Sequence, residues 1–218
     1  MTTVLFVHGL ESGPRGKKAL ALEAAGFTVV SGQMPSSPRA MLRDPATVAL
    51  AMFALGAIVY GATFGPVGFV IGAITFFLSL RFVRPLLMRR MFRRSVAVQL
   101  ALLASNQVDV VAGSSFGGAV AVELLRSGAW KGPTLLMCPA HQLVAGRAWR
   151  DVPSLPVDAS RIVVVHGTKD ETVPLHHSRE LVRGTVAKLI EVEDDHRLSA
   201  TATAENFKQW IGLVTAGA

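Results

Sequence analysis

A serine stands at the centre of a glycine-flanked pentapeptide, Gly113-Ser114-Ser115-Phe116-Gly117. An apolar run, Val108–Val111, precedes it, and a helical pattern follows from residue 117. A sharp turn between a strand and a helix lifts a serine hydroxyl clear of the sheet. The first N–H groups of the helix then point at developing negative charge. The spacing therefore predicts a nucleophile at Ser115, with Ser114 as a spacer.

Two other interpretations of the pentapeptide involve no nucleophile. A glycine-rich phosphate loop would need a Gly-Lys-Ser/Thr ending or a Gly-x-Gly-x-x-Gly spacing, and the sequence has neither at this point. A purely structural tight turn stays open.

A serine hydroxyl needs a histidine base, and the histidine needs a carboxylate that fixes its tautomer. Asp170 follows the apolar run Ile162–Val165, and His196 follows the run Lys188–Val192. Because functional groups in open α/β sheets gather at the carboxyl ends of the strands, we expect both to lie near Ser115. Asp194 and Asp195 are alternative partners for His196.

Six apolar runs predict the strands that position these residues, and helical patterns separate them. The strands are predicted at Val4–Val7, Phe27–Val30, Val108–Val111, Thr134–Met137, Ile162–Val165 and Lys188–Val192. The helices are predicted near residues 16–25, 95–105, 117–127, 176–186 and 203–213. Continuous apolar strands alternating with helices indicate an α/β fold with a mainly parallel sheet covered on both faces.

Residues 45–80 interrupt this alternation, because they are strongly apolar and carry no charge. Gly65-Pro66 should end one helix within this segment. Each half is about 18 residues, or about 27 Å as helix, against a bilayer core of about 30 Å. A hairpin that crosses a membrane twice or dips into one leaflet is expected. The pairs Gly61/Gly65 and Gly68/Gly72 have the spacing that lets helices approach closely.

The net charge of +7 has a local origin, because residues 81–94 hold six arginines and no acid. Without them the chain is near neutral, so a nucleic-acid surface is not required. An arginine run beside the apolar segment fits the positive-inside rule and contact with anionic headgroups, with both ends of the segment cytoplasmic. An apolar lid packed on the domain, or an oligomer contact, is the alternative for the segment.

The other histidines and the single cysteine are predicted to have structural roles, not catalytic ones. Cys138 excludes an internal disulfide, fits a reducing compartment and is expected to be buried. The start of the chain, "MTTVLFVHG", predicts a first strand and not a signal peptide. No metal-ligand spacing is found. His8 is expected to order its loop, His141 to line a pocket, His166 to lie in the core or beneath the site, and His176 and His177 to lie at the surface.

Four segments together carry a family resemblance: "VLFVHGLESGPRGKKAL", "VAGSSFGGAVA", "VVVHGTKDETVP" and "DDHRLS". In this order the chain resembles the α/β-hydrolase superfamily, particularly small YqiA-like serine esterases, except over about residues 35–95. The resemblance implies the chain order Ser115, Asp170, His196 for a catalytic triad. It also implies that the Leu10 and Phe116 amides form an oxyanion hole, and that Asp170 is preferred over Asp194 and Asp195. No cofactor is implied.

We therefore predict a catalytic domain formed by residues 1–44 and 95–218, with residues 45–94 as an inserted helical hairpin with a basic flank. The expected activity is hydrolysis of carboxylic esters, with lipid or acyl esters as candidates, at the cytoplasmic face of a membrane. A non-catalytic hydrolase-like binding protein and a soluble cytoplasmic hydrolase with an apolar lid remain the alternatives.

Overall fold

The computed structural model describes residues 1–10, 12–35, 45–148, 150–156 and 158–216, so the predicted junction at residue 44 lies outside the described residues. Six strands form one parallel sheet in the order β2-β1-β3-β4-β5-β6. They are β1 (Thr3–Val7), β2 (Thr28–Val30), β3 (Val110–Ser114), β4 (Thr134–Met137), β5 (Ile162–Gly167) and β6 (Lys188–Val192). The predicted parallel α/β architecture is confirmed.

Helices cover both faces of the sheet. They are α1 (Lys17–Ala24), α2 (Pro45–Thr63), α3 (Gly65–Ser105), α4 (Phe116–Arg126), α5 (His141–Arg147), α6 (Leu175–Val182) and α7 (Ala204–Ala216). Leu22 of α1 and Trp210 of α7 belong to the apolar cluster on one face, and Phe92 of α3 and Val120 of α4 to the cluster on the other. Strands β3, β4 and β5 are buried along their whole length, as continuous apolar runs should be.

The inserted segment is a pair of helices that packs through glycines. Helix α2 ends at Thr63, and Gly65, with a φ of 75°, starts α3. A β-carbon built at Gly61 would lie 2.9 Å from the Gly68 carbonyl oxygen. One built at Gly72 would lie 3.0 Å from the carbonyl oxygen of Ala57. The two backbones therefore touch along the predicted small-residue stripe.

Helix α3 differs from the prediction because it continues for 41 residues from Gly65 to Ser105. The predicted helix at 95–105 is only its last part, and the arginine run lies inside it. Large apolar side chains on the first part and on α2 are exposed, whereas Met91, Phe92, Ser95 and Gln99 are buried. Helix α3 is the one described helix long and apolar enough, by length and composition alone, to cross a membrane. Its most apolar stretch, with a mean hydropathy of 1.9, is wholly unburied.

Candidate active site

Ser115 occupies the turn between β3 and α4 with a backbone conformation that few residues other than glycine adopt. Its φ is 55° and its ψ is −116°. The Ser115 N–H donates to the Met137 carbonyl at 2.9 Å. Its own carbonyl accepts from the N–H groups of Ala119 at 3.1 Å and Ala140 at 3.0 Å. Three backbone hydrogen bonds thus hold the strained turn and present the hydroxyl at the carboxyl end of β3.

Two glycines make this turn possible because the chain is crowded on both sides of Ser115. A β-carbon at Gly117 would overlap the carbonyl group of Val7 in β1. A β-carbon at Gly113 would lie 2.7 Å from the carbonyl oxygen of Gly117. Any side chain at either position would push α4 away from the sheet, so the glycines are needed for close packing.

The structure brings Ser115, His196 and Asp170 into one hydrogen-bonded chain. His196 Nε2 lies 2.9 Å from Ser115 Oγ, and His196 Nδ1 lies 2.7 Å from Asp170 Oδ2. The other carboxylate oxygen, Asp170 Oδ1, accepts from the N–H groups of Thr172 and Val173 at 2.8 Å each. The Nδ1–H of His196 donates to Asp170, which leaves Nε2 to accept the Ser115 proton.

The carboxyl of Asp170 is held in its ionised form. Burial acts to raise its pKa, but hydrogen bonds from His166, His196 and the Val173 N–H outweigh burial and lower it well below the usual range. The side chain of Asp170 is fully buried, whereas that of His196 is 19% exposed. The charged member of the chain is therefore the one shielded from water.

The alternative carboxylates, Asp194 and Asp195, lie in the same loop as His196 but shape the loop itself. Asp194 Oδ2 accepts from Thr201 Oγ1 at 2.7 Å and from the Thr201 N–H at 2.8 Å. Asp195 accepts from the Ser199 N–H at 3.1 Å and from its hydroxyl. The hydrogen bond to His196 comes from Asp170.

The loop after β1, which carries Leu10, runs beside the serine. A β-carbon built at Gly9 would lie 3.4 Å from Cβ of Ser115. The Gly9 N–H donates to Ser12 Oγ at 3.1 Å, and His8 Nδ1 lies 2.8 Å from the Gly9 carbonyl oxygen. In the described part of the chain, neither the Leu10 nor the Phe116 N–H donates to a protein acceptor. Both amides are therefore available to a bound group.

Two side chains beside the site, those of Lys18 and Ser178, were not predicted from the sequence. Lys18 of α1 donates from Nζ to the Ser114 hydroxyl at 2.8 Å. Burial lowers the pKa of Lys18, opposed by the surrounding Cys138, Asp195, Asp170 and Asp194. Ser178 of α6 is fully buried and lies 2.7 Å from His166 Nδ1. A lysine in a first helical turn and a serine after two histidines both look like surface residues in a sequence, so neither gives a signal.

His141 of α5 and His177 of α6 are both buried. His141 is 2% exposed and, with Phe92, Ala119 and Val144, lines a cavity between α3, α4 and α5. Burial lowers the pKa of His141 to about 4. His177 was predicted at the surface and this is wrong, because α6 packs His177, Ser178 and Leu181 on the sheet. His176 is exposed.

One group of described residues, Cys138, His166 and Asp170, has ligand-type atoms within 4.8 Å of one another and so resembles a metal site. Hydrogen bonds already occupy the imidazole and the carboxylate of this group. Burial raises the pKa of the Cys138 thiol to about 12, whereas a metal ligand must be a thiolate. The group therefore fits a hydrogen-bonded cluster better than a metal centre.

No family model and no curated protein matches the chain. Solved structures match it in fold. A Xanthomonas campestris pv. campestris protein assigned to the hydrolases of the alpha/beta superfamily matches with a TM-score of 0.58 at 21% identity, over 99% of both chains. Est1E from Butyrivibrio proteoclasticus, solved with ferulic acid bound, matches with a TM-score of 0.56 at 12% identity, over 100% of this chain and 89% of Est1E. Esterase PE8 matches with a TM-score of 0.51 at 15% identity, over 100% and 93%.

The fold is therefore that of the α/β hydrolases. At these identities the comparisons concern the fold alone, and the closer resemblance to YqiA-like esterases stays a prediction.

Proposed function

We propose that the protein is a serine hydrolase that cleaves carboxylic esters through an acyl-enzyme on Ser115. One observation carries this proposal: Ser115 Oγ, the His196 ring and the Asp170 carboxylate form a continuous chain with separations of 2.9 and 2.7 Å. That chain begins at a strained turn that presents the Ser115 hydroxyl at the carboxyl end of β3. Esterases among the proteins with this fold support the choice of an ester substrate.

The reaction follows from the directions of the hydrogen bonds. Ser115 Oγ attacks the ester carbonyl carbon while its proton passes to His196 Nε2. The Leu10 and Phe116 N–H groups bind the oxyanion, and the Asp170 carboxylate stabilises the imidazolium. The carbon–oxygen bond then breaks, and His196 gives its proton to the departing alkoxide. Water repeats the sequence on the acyl-enzyme, releasing the carboxylic acid and restoring Ser115.

A membrane is the proposed setting for this activity. The apolar side chains of α2 and the first part of α3 face outward, which would be costly in water but favourable in lipid. Arg81 and Arg84 are exposed on α3 directly after the apolar stretch, where anionic headgroups would lie, and the arginines at 90, 93 and 94 are exposed further along the same helix. The sheet needs strands from both sides of the insert, so both ends of the hairpin would lie on the cytoplasmic face. Lipid or acyl esters are then the favoured substrates.

A fluorophosphonate probe tests the nucleophile, because it reacts only with an activated serine. We expect the purified protein to be labelled and Ser115→Ala to lose all labelling, while Ser127→Ala at the end of α4 keeps it. Ester and thioester panels of increasing acyl length, with and without liposomes, would then define the substrate. Labelling that persists in Ser115→Ala would remove this serine from the mechanism. A protein that is neither labelled nor active on any ester would point to the non-catalytic binding alternative.

Alkaline carbonate extraction tests the hairpin. We expect the protein to stay in the membrane pellet, because two apolar helices of about 24 to 28 Å hold it there. A single cysteine placed at Thr63, in a Cys138→Ala background, should be inaccessible to a membrane-impermeant thiol reagent added from the cytoplasmic side. Release into the carbonate supernatant would instead support the lid or oligomer alternative.

A further inference from the structure

The carboxylate of Asp170 is shared by two imidazoles, not one. His196 Nδ1 lies 2.7 Å from Asp170 Oδ2, and His166 Nε2 lies 3.2 Å from the same oxygen. His166 stands near the end of β5, and both its side chain and that of Asp170 are fully buried. The oxygen that faces the proposed general base therefore has a second imidazole nitrogen 3.2 Å away, which the reaction itself does not use.

The hydrogen-bond partners of His166 fix its tautomer. His166 Nε2 faces two acceptors, the Val173 carbonyl at 2.9 Å and Asp170 Oδ2, so this nitrogen must carry the proton. In the neutral ring Nδ1 is then an acceptor, and the Ser178 hydroxyl donates to it at 2.7 Å. The His166 N–H therefore donates mainly to the Val173 carbonyl, 2.9 Å away, and also lies 3.2 Å from Asp170 Oδ2, close enough to act on its charge.

Asp170 does not need His166 to stay in place. Its other oxygen, Oδ1, accepts from the backbone N–H groups of Thr172 and Val173 at 2.8 Å each. These two bonds already fix the plane of the carboxylate. The main effect of the His166 N–H is therefore electrostatic, because it draws on the negative charge that would otherwise stabilise the His196 imidazolium.

On the basis of the esterase activity proposed above, we propose that His166, with its tautomer set by Ser178, is a positioning residue that weakens the negative charge of the Asp170 carboxylate and so limits how strongly that carboxylate stabilises a protonated His196 ring. A general base that is already protonated cannot accept the proton of Ser115. His166 touches neither the substrate nor the reacting atoms and acts only through Asp170.

Several titratable groups surround the His166 ring besides Asp170 and His196. They lie on four different elements or on the loops that follow them: Cys138 after β4, His141 on α5, His177 on α6 and Glu191 on β6. The Glu191 carboxylate is paired with Arg179 at 2.7 Å. A substitution at position 166 leaves all of these groups in place, so a changed pH profile reports on the lost imidazole.

Three variants test the proposal with p-nitrophenyl acetate as the probe and kcat/KM measured from pH 5 to 9. His166→Leu removes the donor, and we expect the acid limb of the profile to move to higher pH by about 0.5 to 1 unit. The plateau at high pH should change little, because the two backbone N–H bonds still orient Asp170. His166→Gln keeps an N–H that can reach Asp170 and should restore the wild-type limb. Ser178→Ala should shift the limb in the same direction by less.

An unchanged acid limb in folded Ser178→Ala and His166→Leu would overturn the proposal. Equal shifts of the acid limb in His166→Leu and His166→Gln would also overturn it, if both shifts simply accompany a loss of thermal stability. That pattern would show that His166 acts through packing and not through its N–H. The pH titration of the His196 ring resonance by NMR gives the same comparison without turnover. A midpoint that moves in His166→Leu but not in His166→Gln supports the proposal even if no ester is hydrolysed, in which case the proposed function alone fails.

Discussion

At the scale of single residues, the site depends on crowding around Ser115. The turn brings α4 so close to β1 that a β-carbon at Gly117 would overlap the Val7 carbonyl group. Gly117→Ala should therefore lower the free energy of unfolding by about 1 to 3 kcal/mol and strongly reduce fluorophosphonate labelling. Thermal unfolding and labelling rates measure both effects.

Gly212→Ala is the matched control for that substitution, because the space beside Gly212 on the exposed face of α7 is open. It should leave labelling unchanged and raise stability by about 0.5 to 1 kcal/mol through helix propensity. Wild-type stability and labelling in Gly117→Ala would show that the close approach of α4 and β1 is not required.

The ionisation of the Asp170 carboxyl makes the free energy of unfolding depend on pH. Its pKa lies below the usual value in the folded protein, so the ionised carboxylate stabilises the fold above the unfolded-state pKa of about 3.9. This contribution is lost as pH falls through the folded-state pKa, where the carboxyl takes up a proton. We expect Asp170→Asn to be less stable than the wild type at pH 7, and the difference to shrink below about pH 4. Urea unfolding from pH 7 to 3 measures it, and a constant difference would contradict the assignment.

The same substitution should lower kcat at pH 7 by about 10³ to 10⁴, because an amide can hold His196 in the wrong tautomer. The matched control is Asp195→Asn, whose carboxylate bonds Ser199 and not the imidazole. A comparable loss in both variants would mean that Asp170 has no special place in the reaction.

Ser115, Asp170 and His196 could be expected at the carboxyl end of the sheet because each follows a strand at a short distance, and the structure brings the three side chains together there. It did not reveal how His166, Ser178 and Lys18 surround them. Their contacts depend on how deeply each side chain is buried, and burial depends on which face of a helix meets the sheet. His177 shows the same limit, because a polar residue at the start of a helix is expected at the surface, whereas His177 is buried.

At the scale of elements, all six strands were predictable because buried parallel strands are continuous apolar runs. Strands β3 and β5 extend further than predicted, to Ser114 and Gly167, since small residues at their ends pair with Met137 and Val192. Helix α5 was missed because its seven residues show no clear apolar period. The continuity of α3 was not predicted because the apolar segment, the arginine run and the pattern at 95–105 differ in composition, whereas one helix, which contains Pro85, runs through all three.

The contact between α2 and α3 can be tested with two glycines on the same helix. Gly61→Val should force the helices apart, because its β-carbon would lie 2.9 Å from the Gly68 carbonyl oxygen. Gly56→Val meets open space and is the matched control. In detergent micelles we expect Gly61→Val to lower the thermal midpoint by about 2 to 10 °C and Gly56→Val to leave it nearly unchanged. Equal midpoints would show that the hairpin does not pack through this stripe.

At the scale of the whole molecule, the high hydropathy and the positive charge belong to one part of the chain. The close pairs Gly61 with Gly68 and Ala57 with Gly72 set the antiparallel register of the hairpin. Continued along both helices, this register would bring residue 48 opposite residue 81. Replacing residues 49–80 by a short Gly-Ser linker should therefore preserve the remaining fold, including the buried Met91 and Phe92. We expect this protein to stay soluble without detergent and to hydrolyse a water-soluble ester at the wild-type rate.

Sedimentation and the p-nitrophenyl acetate assay measure both properties of the shortened chain. Aggregation or loss of activity would show that the hairpin is an integral part of the catalytic domain. A shortened protein that fails only on esters presented in liposomes would assign the hairpin to substrate delivery.

Helix α3 joins the apolar hairpin to Phe92, whose ring meets the Phe116 ring edge-on at a centroid distance of 6.0 Å. The eleven residue steps from Arg81 to Phe92 correspond to about 16 Å of helix without an intervening loop. If Arg81 lies at the headgroup level, as proposed, Ser115 would be held at a fixed height above the bilayer. An enzyme of this kind would favour lipids that can move out of the bilayer by that distance. It would select its substrates by how easily they are extracted from the membrane, before the shape of any binding pocket matters.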